Sequence, residues 1–411
     1  MKYAIVIPDG CADEPLEAFG GKTPLQAART PYMDRIARAG LVGRSNNVPA
    51  GQTPASDVAT LSLFGYDPDV VYTGRAPLEA AAMGVRLGPG DWAIRCNLVN
   101  AADGLMRDFT AGHISTEEAR ELIAALRAAW GDKIHCLSSG VPIPIELHSG
   151  VQYRHLFVVR NARRGEAPVF DGTTRTQPPH DIPDRPVADY LPKGTGSDHL
   201  RALMERSKPV LADHPINRAR IATGKKPATQ VWLWGQGSAP SLRPFAELHH
   251  KKGAIISAVD LVRGVGVLIG WKRIDVAGAT GYLDTDYAAK GRAGIAALAD
   301  HDLVCVHVEA PDEASHEGKA DEKVKALERI DEHIVGPLIA ALPAHGEWRI
   351  LVSPDHRTLM RTRAHSHGAV PFALAGTGIR SRGQETYDEV VAAQSEVAFE
   401  LGHELMGMFL G

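Results

Sequence analysis

The chain is short of cysteine and of aromatic residues, and neither sign of charge dominates it. Cys11, Cys96, Cys136 and Cys305 are the only cysteines in 411 residues, and no two form a Cys-x-x-Cys pair. This excludes a disulfide framework and a thiolate zinc site. Forty-five Lys and Arg face 49 Asp and Glu, a formal charge of −4 with His neutral. With no basic excess, no nucleic-acid partner is expected. No apolar run reaches the roughly 18 residues that a membrane span needs, so no membrane partner is expected either. The amino-terminal apolar run stops at Pro8 and Asp9, too soon for a signal-peptide core. The resulting expectation is a cytoplasmic globular protein of roughly two or three domains.

Histidine, by contrast, is plentiful: there are 18, several beside aspartates. Short β-branched runs alternate with helical patterns, which favours an α/β fold with a mainly parallel sheet flanked by helices. Tyr3–Ile7, Val231–Trp234, Leu303–Val308 and Trp348–Val352 read as strands. Thr30-Pro31 reads as an N-cap and first turn, and Ser115 with Glu118 as a capping box. Residues 321–342 carry apolar side chains at helical spacing. Residues 161–199, rich in Pro, Gly and Asp, read as a long loop or lid in a second, inserted domain.

Three strand ends run into metal-ligand types. Ile5-Val6-Ile7 leads to Asp9, and Val306-His307-Val308 leads to Asp312 and His316. Ile350-Leu351-Val352 leads to Asp355-His356, with His365 and His367 about ten residues on. Ligands of open α/β sheets gather at the carboxyl ends of strands, so these residues can converge. Asp312 and His316 share a helix face. Carboxylate and imidazole donors without thiolate suit Mn²⁺, Mg²⁺, Co²⁺ or Zn²⁺. Ser56 stands at the start of a helix-like stretch closed by Gly65. Read alone it is an N-cap; beside metal ligands it becomes a candidate nucleophile.

These residues, with Gly65-Tyr66-Asp67-Pro68, Gly20-Gly21-Lys22-Thr23-Pro24-Leu25, Tyr72-Thr73-Gly74-Arg75 and Ser257-Ala258-Val259-Asp260-Leu261, carry a family likeness along nearly the whole chain. The sequence resembles the archaeal-type, 2,3-bisphosphoglycerate-independent phosphoglycerate mutases of the alkaline phosphatase superfamily. That resemblance implies an alkaline phosphatase-like core over 1–90 and 228–411, with an α+β cap domain over 91–227. It implies two divalent metal ions, Mn²⁺ foremost, and no 2,3-bisphosphoglycerate. Asp9, Ser56, Asp355 and His356 would hold one ion, and Asp312, His316 and His365 the other. His367 has no ligand counterpart. Ser56 would take the phosphoryl group of a small phosphorylated substrate, 3-phosphoglycerate, and return it to the 2-hydroxyl while the cap excludes water. Arg75, Arg95, Arg218 and His113 are the candidate substrate-binding cations.

The chain also departs from the family pattern. Phe109, Thr110 and His113 replace an expected basic run, and Glu309 and Glu313 replace a more basic approach to the second ion. These changes resemble a bacterial branch proposed to include homoserine kinases, in which ATP would be the donor and Glu309 or Glu313 could meet a substrate ammonium. A phosphatase of the same superfamily is a further alternative. No Gly-rich loop ending in Gly-Lys-Ser/Thr marks a nucleotide site.

Overall fold

A computed structural model describes residues 1–135, 141–161 and 169–411, so Cys136 and the first part of the expected loop lie outside the described residues. The chain divides into two compact units, Met1–Tyr72 with Ser241–Gly411, and Thr73–Pro240.

The first unit is built on an eight-stranded sheet. Its order is Lys272–Arg273, Gly253–Ile256, Leu303–Val308, Lys2–Pro8, Trp348–Val352, Val370–Gly376, Leu41–Ser45 and Ala398–Phe399. Only Val370–Gly376 runs against the others. The central strands are mostly apolar, as strands of a parallel sheet buried on both faces are. Ile5, Ile7, Val304, Val306, Ile350 and Val352 are fully buried, each contributing about 1.5–3 kcal/mol.

Helices of this unit settle the local expectations. The segment Ala320–Ala341 is one continuous helix interrupted by a π-turn at Asp331–Val335. The helix Pro31–Ala39 starts where Thr30-Pro31 placed it, but the Thr30 side chain makes no cap bond. Asp331 instead accepts the Tyr32 and Met33 N–H groups at 3.1 and 2.7 Å. A carboxylate from the distant π-turn thus does the capping.

The second unit is an antiparallel sheet with helices. Leu105–Asp108, Trp92–Ala102, Arg154–Val159, Pro142–His148 and Lys133–His135 lie in that order, and Gln230–Ser238 also pairs with Trp92–Ala102. Thr116–Trp130 opens with the expected Ser115/Glu118 capping box. The loop from 169 to 196 holds two short 3₁₀ turns and closes on itself through paired Arg175 and Lys193 backbone bonds.

The unit boundaries differ from 90 and 228. Two elements expected in the first unit belong to the second: the strand containing Val231–Trp234 and the helix Arg75–Ala82. The strand joins the antiparallel sheet at Trp92–Ala102, and the helix packs on that pair. An apolar run shows that a strand is buried but not which sheet it joins.

Candidate metal centre

Strand order brings the site together. Leu303–Val308, Lys2–Pro8 and Trp348–Val352 are adjacent and parallel, so Asp9, the helix holding Asp312, and Asp355-His356 emerge at the same sheet edge. The helix Ala310–Glu317 spaces Asp312 and His316 one turn apart, with His316 Nε2 3.0 Å from Asp312 Oδ2. His365 arrives by a hairpin: Arg357–Leu359 pairs with Ala364–Ser366, setting Thr358 opposite His365. Gly10, at φ +58°, lets the chain pass the ligands, since a Cβ there would collide with the Asp312 carboxylate.

Among the described residues three groups of donor atoms gather here, and two of them are the expected ones: Asp312, His316 and His365, and Asp9, Asp355 and His356. Within each group the donor atoms lie within 4.8 Å of one another. His316 and His365 meet Nε2 to Nε2 at 3.0 Å, and His365 Nε2 is 3.5 Å from Asp312 Oδ1. His356 Nε2 is 3.5 Å from both Asp9 Oδ1 and Asp355 Oδ2. Ser56 opens the helix Ser56–Leu63 and sets its Oγ 3.1 Å from His356 Nε2. Helix N-termini favour negative charge at such a position. His367 is exposed and belongs to neither group.

The supporting bonds aim the donors inward. His316 Nδ1 donates to Arg363 O at 2.9 Å, His365 Nδ1 donates to Pro54 O at 3.1 Å, and His356 Nδ1 lies 3.2 Å from Thr358 Oγ1. Each imidazole therefore turns Nε2 to the interior, as metal-binding histidines do. Asp355 Oδ1 accepts the Gly10 and His356 N–H groups, and Asp9 Oδ2 is bonded by His307. The other oxygens, Asp9 Oδ1 and Asp355 Oδ2, are buried without a hydrogen-bond partner. Orphaned carboxylate oxygens of this kind are what a divalent cation satisfies, so the residues fit the implied ions.

Electrostatics agree. Burial, then the negative charge of Asp355, Glu309 and Asp312, pushes Asp9 well above the usual carboxylate range. Burial acts to raise Asp312, but hydrogen bonds from His316 and His365 outweigh it and hold the carboxyl well below that range. The Asp312 bond raises His316 to about 9. Burial, with Asp312, Asp355 and Glu313 adding to it, pushes Glu309 up to about 8. Glu309 turns toward the buried Asp9–His307 pair, with Oε2 3.7 Å from His307 Nε2. His307 and Glu309 are neighbours of the site that spacing alone does not mark as such; His307 stands out only as a polar residue in an otherwise apolar strand.

In the second unit Arg95 is buried, pairs through Nε with Glu79 at 3.0 Å and lies 4.0 Å over the Trp234 ring. Burial lowers its pKa, and the positive charges of Arg75 and Arg154 act in the same direction. Arg75 and Arg95 are therefore neighbours, joined by Arg154 and His180, neither of which stands out in the sequence. His113 and Arg218 are exposed, and among the described residues no hydrogen bond or ion pair joins their side chains to this cluster. The buried arginine of the helix Pro215–Ala222, which carries Arg218, is Arg220, which binds Glu118 and the Ala111 and Gly112 carbonyls.

A serine hydroxyl among buried carboxylates and imidazoles at one edge of a parallel sheet defines a class of α/β enzymes that hold divalent ions. Residues 37–217 match the family model described as 2,3-bisphosphoglycerate-independent phosphoglycerate mutase. A protein of that description from Methanothrix thermoacetophila is 46% identical over 411 residues, covering all of both chains. A structure from Pyrococcus horikoshii is 26% identical with a TM-score of 0.81, over all of this chain and 96% of that one. The cofactor-independent phosphoglycerate mutase from Thermoplasma acidophilum is 25% identical with a TM-score of 0.68, over all of this chain and 99% of that one. The chain belongs to the 2,3-bisphosphoglycerate-independent phosphoglycerate mutase family.

Proposed function

We propose that the chain interconverts 3-phosphoglycerate and 2-phosphoglycerate through a phosphoserine at Ser56. The observation that carries the reading is Ser56 Oγ, 3.1 Å from His356 Nε2, which itself lies 3.5 Å from the orphaned oxygens of Asp9 and Asp355. Asp9, Ser56, Asp355 and His356 would hold one divalent ion, and Asp312, His316 and His365 a second, with Mn²⁺ our assignment. When bound, such ions supply Lewis-acid stabilisation of phosphoryl oxygens.

Ser56 Oγ gives up its proton and attacks phosphorus, a new O–P bond forms, and the bond from phosphorus to the C3 oxygen breaks as that oxygen takes up a proton. The positive end of the Ser56–Leu63 helix favours the hydroxyl's deprotonated form. The glycerate 2-hydroxyl then gives up its proton and attacks the phosphoserine, and the bond from phosphorus to Ser56 Oγ breaks as that oxygen is reprotonated. We assign Arg75 and Arg95 to the anionic groups of the substrate, because planar guanidinium groups match carboxylate and phosphate geometry. His113 and Arg218, being exposed, are weaker candidates for that role.

Family membership favours the mutase over the homoserine kinase alternative, and the Glu309 carboxylate, 14% exposed, turns toward the Asp9–His307 pair rather than away from it. The test is ³¹P NMR on Mn²⁺-loaded protein in two tubes, one with 3-phosphoglycerate and one with ATP and homoserine. Conversion to 2-phosphoglycerate without free phosphate supports the mutase. Phosphohomoserine in the second tube with a silent first overturns it, and free phosphate alone makes the enzyme a phosphatase.

A further inference from the structure

The motif Ser257-Ala258-Val259-Asp260-Leu261 takes no part in the chemistry above, yet its first residue reaches Asp9 through His307. Three neighbouring parallel strands, Gly253–Ile256, Leu303–Val308 and Lys2–Pro8, deliver Ser257, His307 and Asp9 to the same end of the sheet. All three side chains are buried. Ser257 Oγ accepts the Val259 N–H at 3.0 Å and lies 3.0 Å from His307 Nδ1. His307 Nε2 lies 2.7 Å from Asp9 Oδ2.

Hydrogen-bond chemistry gives this chain one direction. With an ion on Oδ1, Asp9 is deprotonated and can only accept, so the proton of its contact sits on His307 Nε2. A neutral imidazole then has Nδ1 as an acceptor. The Ser257 hydroxyl, one lone pair already used by Val259, satisfies it by donating.

We propose that Ser257 and His307 are positioning residues that occupy Asp9 Oδ2 and leave Oδ1 as the single oxygen facing Asp355 and His356. The proposal rests on the reading that Asp9 holds an ion. It accounts for Asp9 Oδ1 being the oxygen left without a partner. It also gives His307 a role in the Asp9, His307 and Glu309 group, whose donor atoms lie within 4.8 Å of one another. The 2.7 Å contact is a hydrogen-bond distance with the imidazole proton on it, so His307 orients a ligand rather than acting as one.

The experiment is isothermal titration of Mn²⁺ into the metal-free full chain and three variants. His307→Gln keeps an N–H donor near the position of Nε2, His307→Phe keeps ring volume without the donor, and Ser257→Ala removes the support of Nδ1. Wild type and His307→Gln are expected to bind two ions with similar affinities. His307→Phe is expected to weaken one ion by about 10–100-fold and spare the other, and Ser257→Ala to weaken the same ion by less. Two ions bound equally by every variant would overturn the relay and leave the metal reading intact. Three ions in wild type, with one lost in both His307 variants, would make His307 a ligand and overturn it too. Both ions weakened together would show general damage rather than positioning, and would overturn it as well. No ion in wild type would remove the metal reading itself, and the relay with it.

Discussion

The imidazole rings of His356 and His365 lie 4.2 Å apart, centroid to centroid. The Asp9–Asp355–His356 and Asp312–His316–His365 groups are therefore neighbours in one site rather than two separate ones. One short hairpin produces the contact, because Thr358 and His365 face each other across it. Ser56, 3.1 Å from His356, shares that neighbourhood.

The proton on His316 predicts how its group takes up an ion. The Asp312 hydrogen bond raises His316 to about 9, so near neutral pH the metal-free group is protonated and an entering cation must displace that proton. Ion binding at this group is expected to release close to one proton near pH 7, and affinity to rise with pH up to about 9. Titration calorimetry in buffers of different ionisation enthalpy reads the proton count. Binding heats independent of buffer would contradict the assignment of His316.

The Asp331 cap predicts a pH-dependent stability. Burial raises this carboxyl to about 6, with Asp34 and Glu332 adding to it, against the bonds from Tyr32 and Met33. Its folded-state pKa lies above the unfolded one, so its contribution is complete below about pH 4 and is lost as pH rises through about 6. Relative to Asp331→Asn, the wild type should lose up to about 3 kcal/mol across that window. Urea unfolding of both proteins at several pH values measures it, and a constant difference between the two would refute it.

Arg95 predicts a binding effect separable from the chemistry. Arg95→Lys removes the planar group stacked on Trp234 and paired with Glu79, with the charge kept. KM for phosphoglycerate should rise on the order of tenfold with kcat little changed. A fall in kcat at constant KM would place Arg95 elsewhere in the mechanism.

Much of this site is legible in the sequence because strand ends are. Apolar runs such as Tyr3–Ile7 and Leu303–Val308 announce buried strands, and a parallel sheet gathers the residues just beyond their carboxyl ends. Asp9, Asp312, His316, Asp355, His356 and His365 all stand at or near such ends. The illegible remainder depends on contacts between distant segments. Thr30 looks like a cap, but Asp331 takes the role from the π-turn. Val231–Trp234 has the apolar run of a parallel-sheet strand, yet its partner is Trp92–Ala102. Arg218 and Arg220 lie on one short helix, and only its packing decides that Arg220 is the buried one. His307 carries no spacing signal, since its partners Asp9 and Ser257 come from two other strands.

The central claim is that Ser56 carries the phosphoryl group. Mass spectrometry of Mn²⁺-loaded protein, acid-quenched during turnover of 3-phosphoglycerate, tests it most directly, with Ser56→Ala as the control. The account predicts one added phosphoryl group on the peptide containing Ser56. It also predicts a Ser56→Ala variant that stays folded, still binds an ion through Asp312, His316 and His365, and has no mutase activity. Normal turnover by Ser56→Ala, or a phosphoryl group on another residue, would contradict it.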